Sequence, residues 1–282
     1  METRAFSLTT SDGLSLPGRA WLPDEASAVI VLVHGLGEHS GRYIRFAAKA
    51  IERGLAIVSA DLRGHGRSPG EPCYINAFSD YLADTDALVA KAKEIAGPLP
   101  LFMMGHSLGG AIAMRWLAER RPARAEFAGL ILSSAALKVG RGVSRFLLAV
   151  APIVSRIAPR LRVGTINSAL ISRIPGEVDA YRNDPLVCHI PPPARTGAEL
   201  LAAIAANRAA AATMTLPALL LHGDADMLTD PAGSSEIHAA WGARDKTLRL
   251  WPGSLHETLN DLDGDAVAAE IFGWVEARRA GV

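Results

Sequence analysis

Over residues 1–134 the pattern of apolar and polar positions changes period several times. Residues 4–23 alternate apolar with polar around the turn Ser11-Asp12-Gly13, which predicts an antiparallel hairpin at a sheet edge. Residues 28–33, AVIVLV, and residues 55–60 are instead continuous apolar runs, the pattern of strands covered on both faces. Between them, near residues 42–53, and again over 77–96, the spacing turns helical. Phe78, Tyr81, Leu82, Leu88 and Ile95 fall on the inward stripe of the second helix. Residues 101–104 make another strand, 110–118 a helix and 127–132 a further strand. This alternation predicts an α/β fold, with a mostly parallel central sheet and helices on both faces.

From about residue 135 to 215 the alternation stops. The segment holds a helix-like stretch over 144–161, the interruption Pro191-Pro192-Pro193, and an alanine-rich helical stretch over 196–214. Strand patterns return at 216–221 and 248–251, and an amphipathic helix over 264–279 follows. The predicted organisation is therefore one core, 1–134 with 216–282, carrying a helical cap at 135–215. An insertion between two strands can lie over the carboxyl ends of the sheet, where open α/β sheets place their sites.

The most informative stretch is Gly105-His106-Ser107-Leu108-Gly109, set between a strand and a helix. A serine at such an apex needs strained backbone angles, and the flanking glycines remove side chains that would collide with neighbouring backbone. This geometry pushes Ser107 outward as a nucleophile. A second turn, His34-Gly35-Leu36-Gly37, follows the strand at 28–33. It predicts backbone N–H groups aimed into the same cleft, and the N–H groups of Leu36 and Leu108 are the candidate oxyanion donors. Serine needs a base, and the base needs a carboxylate to orient it. His256, after the last strand, is the candidate base. Asp226, in His222-Gly223-Asp224-Ala225-Asp226, is the candidate acid, with Asp224 as the alternative. His34, His39, His65, His106, His189, His222 and His238 each have a structural reading; His65, in Asp61-Leu62-Arg63-Gly64-His65-Gly66-Arg67-Ser68, is read as holding its own loop together.

Charge changes the picture only locally. The chain balances 29 Lys and Arg against 29 Asp and Glu, so nothing points to nucleic acid as a partner. Between residues 137 and 200, however, Lys138 and eight arginines face only Glu177, Asp179, Asp184 and Glu199. The arginines in and around 144–161 alternate with Phe146, Leu147, Leu148, Val150, Ile153, Val154 and Ile157. Such a helix can rest transiently on a membrane surface, or it can pack on the core. Cys73 and Cys188 show no ligand or disulfide spacing, so neither a metal nor a disulfide framework is predicted. The first residues lack a signal-type apolar core, and no apolar run has the length of a membrane span, so a cytoplasmic location is expected. No oligomeric state is predicted.

Taken with the serine turn, the stretches His34-Gly35-Leu36-Gly37-Glu38-His39-Ser40-Gly41-Arg42-Tyr43, Asp61 to Ser68, Asn183-Asp184-Pro185-Leu186, Asp224-Ala225-Asp226 and His256-Glu257 resemble α/β-hydrolases of the monoacylglycerol lipase and lysophospholipase group, also placed with the serine aminopeptidases. The resemblance implies a Ser/Asp/His esterase with a helical cap and no cofactor or metal, acting on glycerol esters of fatty acids. It puts the acid at Asp226. The basic excess at 137–200 raises lysophospholipase activity as an alternative, while the scarcity of carboxylates there argues against recognition of a free amino terminus. A ligand-binding receptor built on the same scaffold is the alternative of another class.

Overall fold

The computed structural model describes residues 2–122, 126–164 and 166–279. Eight strands form one sheet: β1 (Glu2–Thr9), β2 (Ser15–Leu22), β3 (Ala28–Val33), β4 (Leu55–Ala60), β5 (Leu101–His106), β6 (Phe127–Ser133), β7 (Ala218–Gly223) and β8 (Lys246–Trp251), in the order β1-β2-β4-β3-β5-β6-β7-β8. β1 and β2 are the hairpin read from the sequence, paired from Glu2↔Leu22 to Thr9↔Ser15. β2 runs antiparallel to β4, and every later pairing is parallel.

The continuous apolar runs follow from burial on both sides. In β3, Val29, Val31 and Val33 enter the core on one face while Ile30 and Leu32 enter it on the other. The first face is covered by α2 (Phe78–Ala96) and α3 (Leu108–Arg120) and the second by α1 (Ile44–Glu52) and α8 (Gly264–Glu276). A strand alternating apolar with polar would put charges against one of these layers.

Between β6 and β7 lie α4 (Arg145–Ile157), α5 (Pro175–Asn183) and α6 (Ala194–Ala210), and α7 (Pro231–Ala240) follows β7. α4 ends four residues before the predicted limit, because Pro159 disfavours the helical conformation at Ala158, which closes the helix at φ −134. α6 starts directly after Pro193, whose fixed φ suits the position before a helix. α4 shows the two properties that its composition left open. Leu147, Leu148, Val150, Ala151 and Val154 line an internal cavity, while Phe146 and Ile157 remain 75% and 80% exposed. The helix packs with one side and leaves apolar side chains uncovered on another.

Candidate active site

β5 leads into Ser107, which holds φ +52, a conformation that costs a non-glycine residue on the order of 1–3 kcal/mol. Three hydrogen bonds hold the turn: Ser107 N–H to Ser133 O (3.1 Å), and Gly110 N–H (3.0 Å) and Ala136 N–H (2.8 Å) to Ser107 O. Glycine is required on both sides. A Cβ on Gly105 would meet the Gly109 carbonyl, and one on Gly109 would meet the Val33 carbonyl.

β7 and β8 end beside this turn. After β7, Asp226 is buried; after β8, so is His256. His256 Nδ1 donates to Asp226 Oδ2 at 2.7 Å, which leaves Nε2 for chemistry. Ser107 and His256 line one cavity of about 350 Å³, together with Leu36 and Leu108. The structure therefore gathers Ser107, Asp226, His256, Leu36 and Leu108 at one end of the sheet. Leu108 is the first residue of α3, where no preceding turn supplies an acceptor for its N–H. Among the described residues the Leu36 N–H has no acceptor either.

The electrostatics favour an ionised acid and a basic imidazole. Burial pushes the Asp226 carboxyl up, but His256 and the hydrogen bonds from His222 and His256 outweigh it, and the group titrates well below the usual carboxylate range. Asp226 Oδ2 also faces Thr229 Oγ1 at 2.8 Å and His222 Nε2 at 3.1 Å, and Oδ1 accepts the N–H groups of Leu228 (2.7 Å) and Thr229 (3.1 Å). For His256 burial lowers the pKa, but the Asp226 charge and hydrogen bond outweigh it and leave it above the ordinary histidine value. His106, whose ring lies 4.9 Å from that of His256, is driven down to about 4 by burial and by the His256 charge, so it is neutral near pH 7.

Comparison with known proteins places the chain. The family model for "Serine aminopeptidase, S33" matches residues 24–263. The chain belongs to this family. It is 34% identical over 264 residues to a monoacylglycerol lipase of Mycolicibacterium smegmatis, covering 93% of each chain. It is 35% identical over 277 residues to the human monoglyceride lipase, covering 97% of this chain and 90% of that one. The crystal structure of a Paleococcus ferrophilus monoacylglycerol lipase superposes with a TM-score of 0.82 at 29% identity, covering 99% of this chain and all of that one. The fold is that of the α/β-hydrolases, as the sequence resemblance implied.

Within this family member the remaining candidates fall away from the cavity. Asp224 is exposed, and its Oδ1 accepts the Gly253 N–H at 2.6 Å. His65 donates from Nδ1 to Arg63 O at 2.8 Å, its ring packs against His34 and Tyr81, and burial lowers its pKa to about 3. Asp61 accepts from the Ser40 and Arg67 N–H groups, so this loop is held by its own polar contacts. No group of three or more His, Cys, Asp or Glu among the described residues is arranged to hold a metal ion.

Sequence reasoning missed three polar contributors. Thr229 stands three residues after Asp226, the spacing at which a backbone N–H returns to an Asp side chain, and this was the only available signal. Glu38 and Glu257 line the cavity from the two loops, bridged by Arg42, with Arg42 Nε 3.4 Å from Glu38 Oε2 and Nη2 donating to Glu257 Oε2 at 2.6 Å. Burial would raise the Glu38 carboxyl, but the neighbouring His106 and Arg42 charges pull it to about 2. Glu257 goes the other way, raised by burial despite Arg42. These two carboxylates are far apart in sequence, and no local pattern joins them.

Proposed function

We propose that this protein hydrolyses the ester bond of monoacylglycerols through an acyl-enzyme on Ser107. Ser107 Oγ attacks the ester carbonyl as His256 Nε2 takes its proton, and the tetrahedral oxyanion accepts hydrogen bonds from the Leu36 and Leu108 N–H groups. The ester C–O bond then breaks, and His256 returns the proton to the departing glycerol oxygen. Water, activated by the same imidazole, attacks the acyl-enzyme and releases the fatty acid with Ser107 restored. Asp226 stays ionised throughout, holding His256 in the tautomer with Nδ1–H and stabilising the imidazolium.

The observation that carries the substrate class is a second cavity of about 410 Å³ adjoining the first. Its wall is almost wholly aliphatic, and it shares Ala136, Val143, Ile166, Leu200, Leu228 and Thr229 with the cavity that holds Ser107. An acyl chain fits this aliphatic space, while Glu38, Asn167, Tyr181 and Glu257 around the cavity that holds Ser107 suit the hydroxyls of glycerol. A phosphate head group suits it less. The ionised Glu38 repels an anion, and among the described residues no arginine lines the cavity that holds Ser107. Three of the eight arginines behind the lysophospholipase alternative are paired with carboxylates elsewhere: Arg160 with Glu71, Arg141 with Asp230, and Arg173 with Asp261 and Asp263.

The insertion, residues 135–215, is proposed as the cap over this site. Its exposed Phe146, Ile153, Ile157 and Leu161 support transient contact with a membrane surface, since partly buried arms of that kind bind the headgroup boundary. No helix among the described residues is long and apolar enough to cross a membrane. A cytoplasmic location fits such contact.

The test is a panel of monoacylglycerols, lysophospholipids and aryl esters against the wild type and Ser107→Ala, with fluorophosphonate labelling of Ser107. Monoacylglycerols should be the best substrates, and the variant should neither turn over nor label. Equal turnover by the variant, or ligand binding by a wild type that neither labels nor cleaves, would refute the reading in favour of another nucleophile or a receptor.

A further inference from the structure

The motif Asn183-Asp184-Pro185-Leu186 is distant in sequence from Ser107, Asp226, His256 and Leu36, yet it lies against the loop that presents Leu36. Three contacts join the two segments. The Cys188 N–H donates to Gly37 O at 2.7 Å, the Arg42 guanidinium carbon lies 4.7 Å from the Tyr181 ring centroid, and His39 Nε2 is 2.9 Å from Asp184 Oδ2. The direction of the last bond is set at the other ring nitrogen. His39 Nδ1 accepts the Gly41 N–H at 3.1 Å, so Nε2 carries the hydrogen that Asp184 receives. Asp184 is itself fixed, because its Oδ1 accepts the Leu186 N–H at 2.9 Å.

Two contacts bracket the peptide groups on either side of Leu36. On one side of Leu36 the Gly35 N–H is held by Glu38 Oε1 at 2.5 Å, and on the other the Gly37 carbonyl is held by Cys188. Gly37 adopts φ +78, and a Cβ there would come within 3.1 Å of the Cys188 carbonyl, so the loop and the inserted segment fit against each other closely.

We propose that Asp184 is a positioning residue for the ester hydrolysis: by accepting the His39 Nε2 hydrogen it fixes the loop of residues 35–42 and so keeps the Leu36 N–H aimed at the developing oxyanion. The proposal rests on the acyl-enzyme reading given above. Charge on the carbonyl oxygen is greatest in the transition state, so loss of aim falls on kcat rather than on KM.

The experiment compares wild type, Asp184→Ala, Asp184→Asn and His39→Ala in the full chain, with p-nitrophenyl butyrate turnover, the rate of phosphonate inactivation at Ser107, and thermal melts. Deleting an oxyanion donor outright costs about 10²–10³ in kcat, so a donor left in place but loosened should cost roughly 10- to 100-fold. Asp184→Ala should show that loss with KM within about threefold, and phosphonate inactivation should slow in step. Asp184→Asn should recover most of the rate, because its amide oxygen accepts the same His39 hydrogen. His39→Ala should match Asp184→Ala, and the double variant should lose no more than either alone. A folded Asp184→Ala with wild-type kcat, a loss confined to KM, or additive losses in the double variant would overturn the proposal. Should Asp184→Ala fail to fold, a wild-type kcat in His39→Ala overturns it equally. A wild type that cleaves no ester would instead overturn the functional reading and this proposal with it.

Discussion

Leu200 on α6 stands in the wall common to the two cavities, so a larger side chain there should close the passage between them. Each methylene that enters an apolar space gains about 0.8 kcal/mol, or about fourfold in kcat/KM. Lengthening the acyl chain from four to eight carbons in the wild type should therefore raise kcat/KM on the order of 100-fold, provided the aliphatic cavity of about 410 Å³ receives the added carbons. Leu200→Trp should leave the butyryl ester within a few-fold of wild type and abolish most of that rise. The assay is kcat/KM for a series of glycerol or p-nitrophenyl esters of increasing chain length. Overpacking costs about 1–3 kcal/mol, so a thermal melt must accompany it. Two results would refute the reasoning: a wild-type slope retained in the variant, or equal loss at every chain length in a folded variant. The first would mean that the chain does not use the aliphatic cavity, and the second that Leu200 acts at the reacting carbon.

Further predictions concern the base and the exposed face of α4. Because Asp226 holds His256 above its ordinary value of 6.5, and only neutral imidazole accepts the Ser107 proton, the acid limb of kcat/KM should lie above that pH, with activity falling as pH drops through it. A profile flat down to about pH 5.5 would contradict the assignment of His256 as base. Replacing Phe146 and Ile157 with aspartate should reduce flotation with liposomes of anionic and zwitterionic lipid while leaving turnover of a water-soluble ester unchanged. Undiminished flotation would remove α4 from the membrane contact.

The central sheet and the serine turn were legible because each depends on a local pattern. AVIVLV needs apolar cover on both faces, and Gly105-x-Ser107-x-Gly109 needs two missing side chains at fixed offsets. The inserted helices were less legible for the same reason. α4 is apolar on more than one side, so periodicity could not choose between cavity wall and exposed face. α5 spans only nine residues with a broken apolar stripe, and went unpredicted although Pro175 opens it at a position proline favours. The Glu38–Arg42–Glu257 bridge joins loops more than 200 residues apart, a distance that no spacing rule crosses.

The inserted segment is attached unevenly, and this has a consequence for how the enzyme can change. Part of it is bonded to the catalytic loops, with the Leu170 and Ile171 carbonyls accepting the His256 and Glu257 N–H groups and Cys188 holding Gly37. α4 and α6 instead build the wall of the aliphatic cavity. Substitutions in α4 and α6 can therefore alter which acyl chain is taken while the reacting groups stay in register. Residues 168–188 have no such freedom, and must vary in concert with 35–42 and 254–257. A lineage can retune its diet through one part of the insertion only while inheriting the other part as a unit with the catalytic loops.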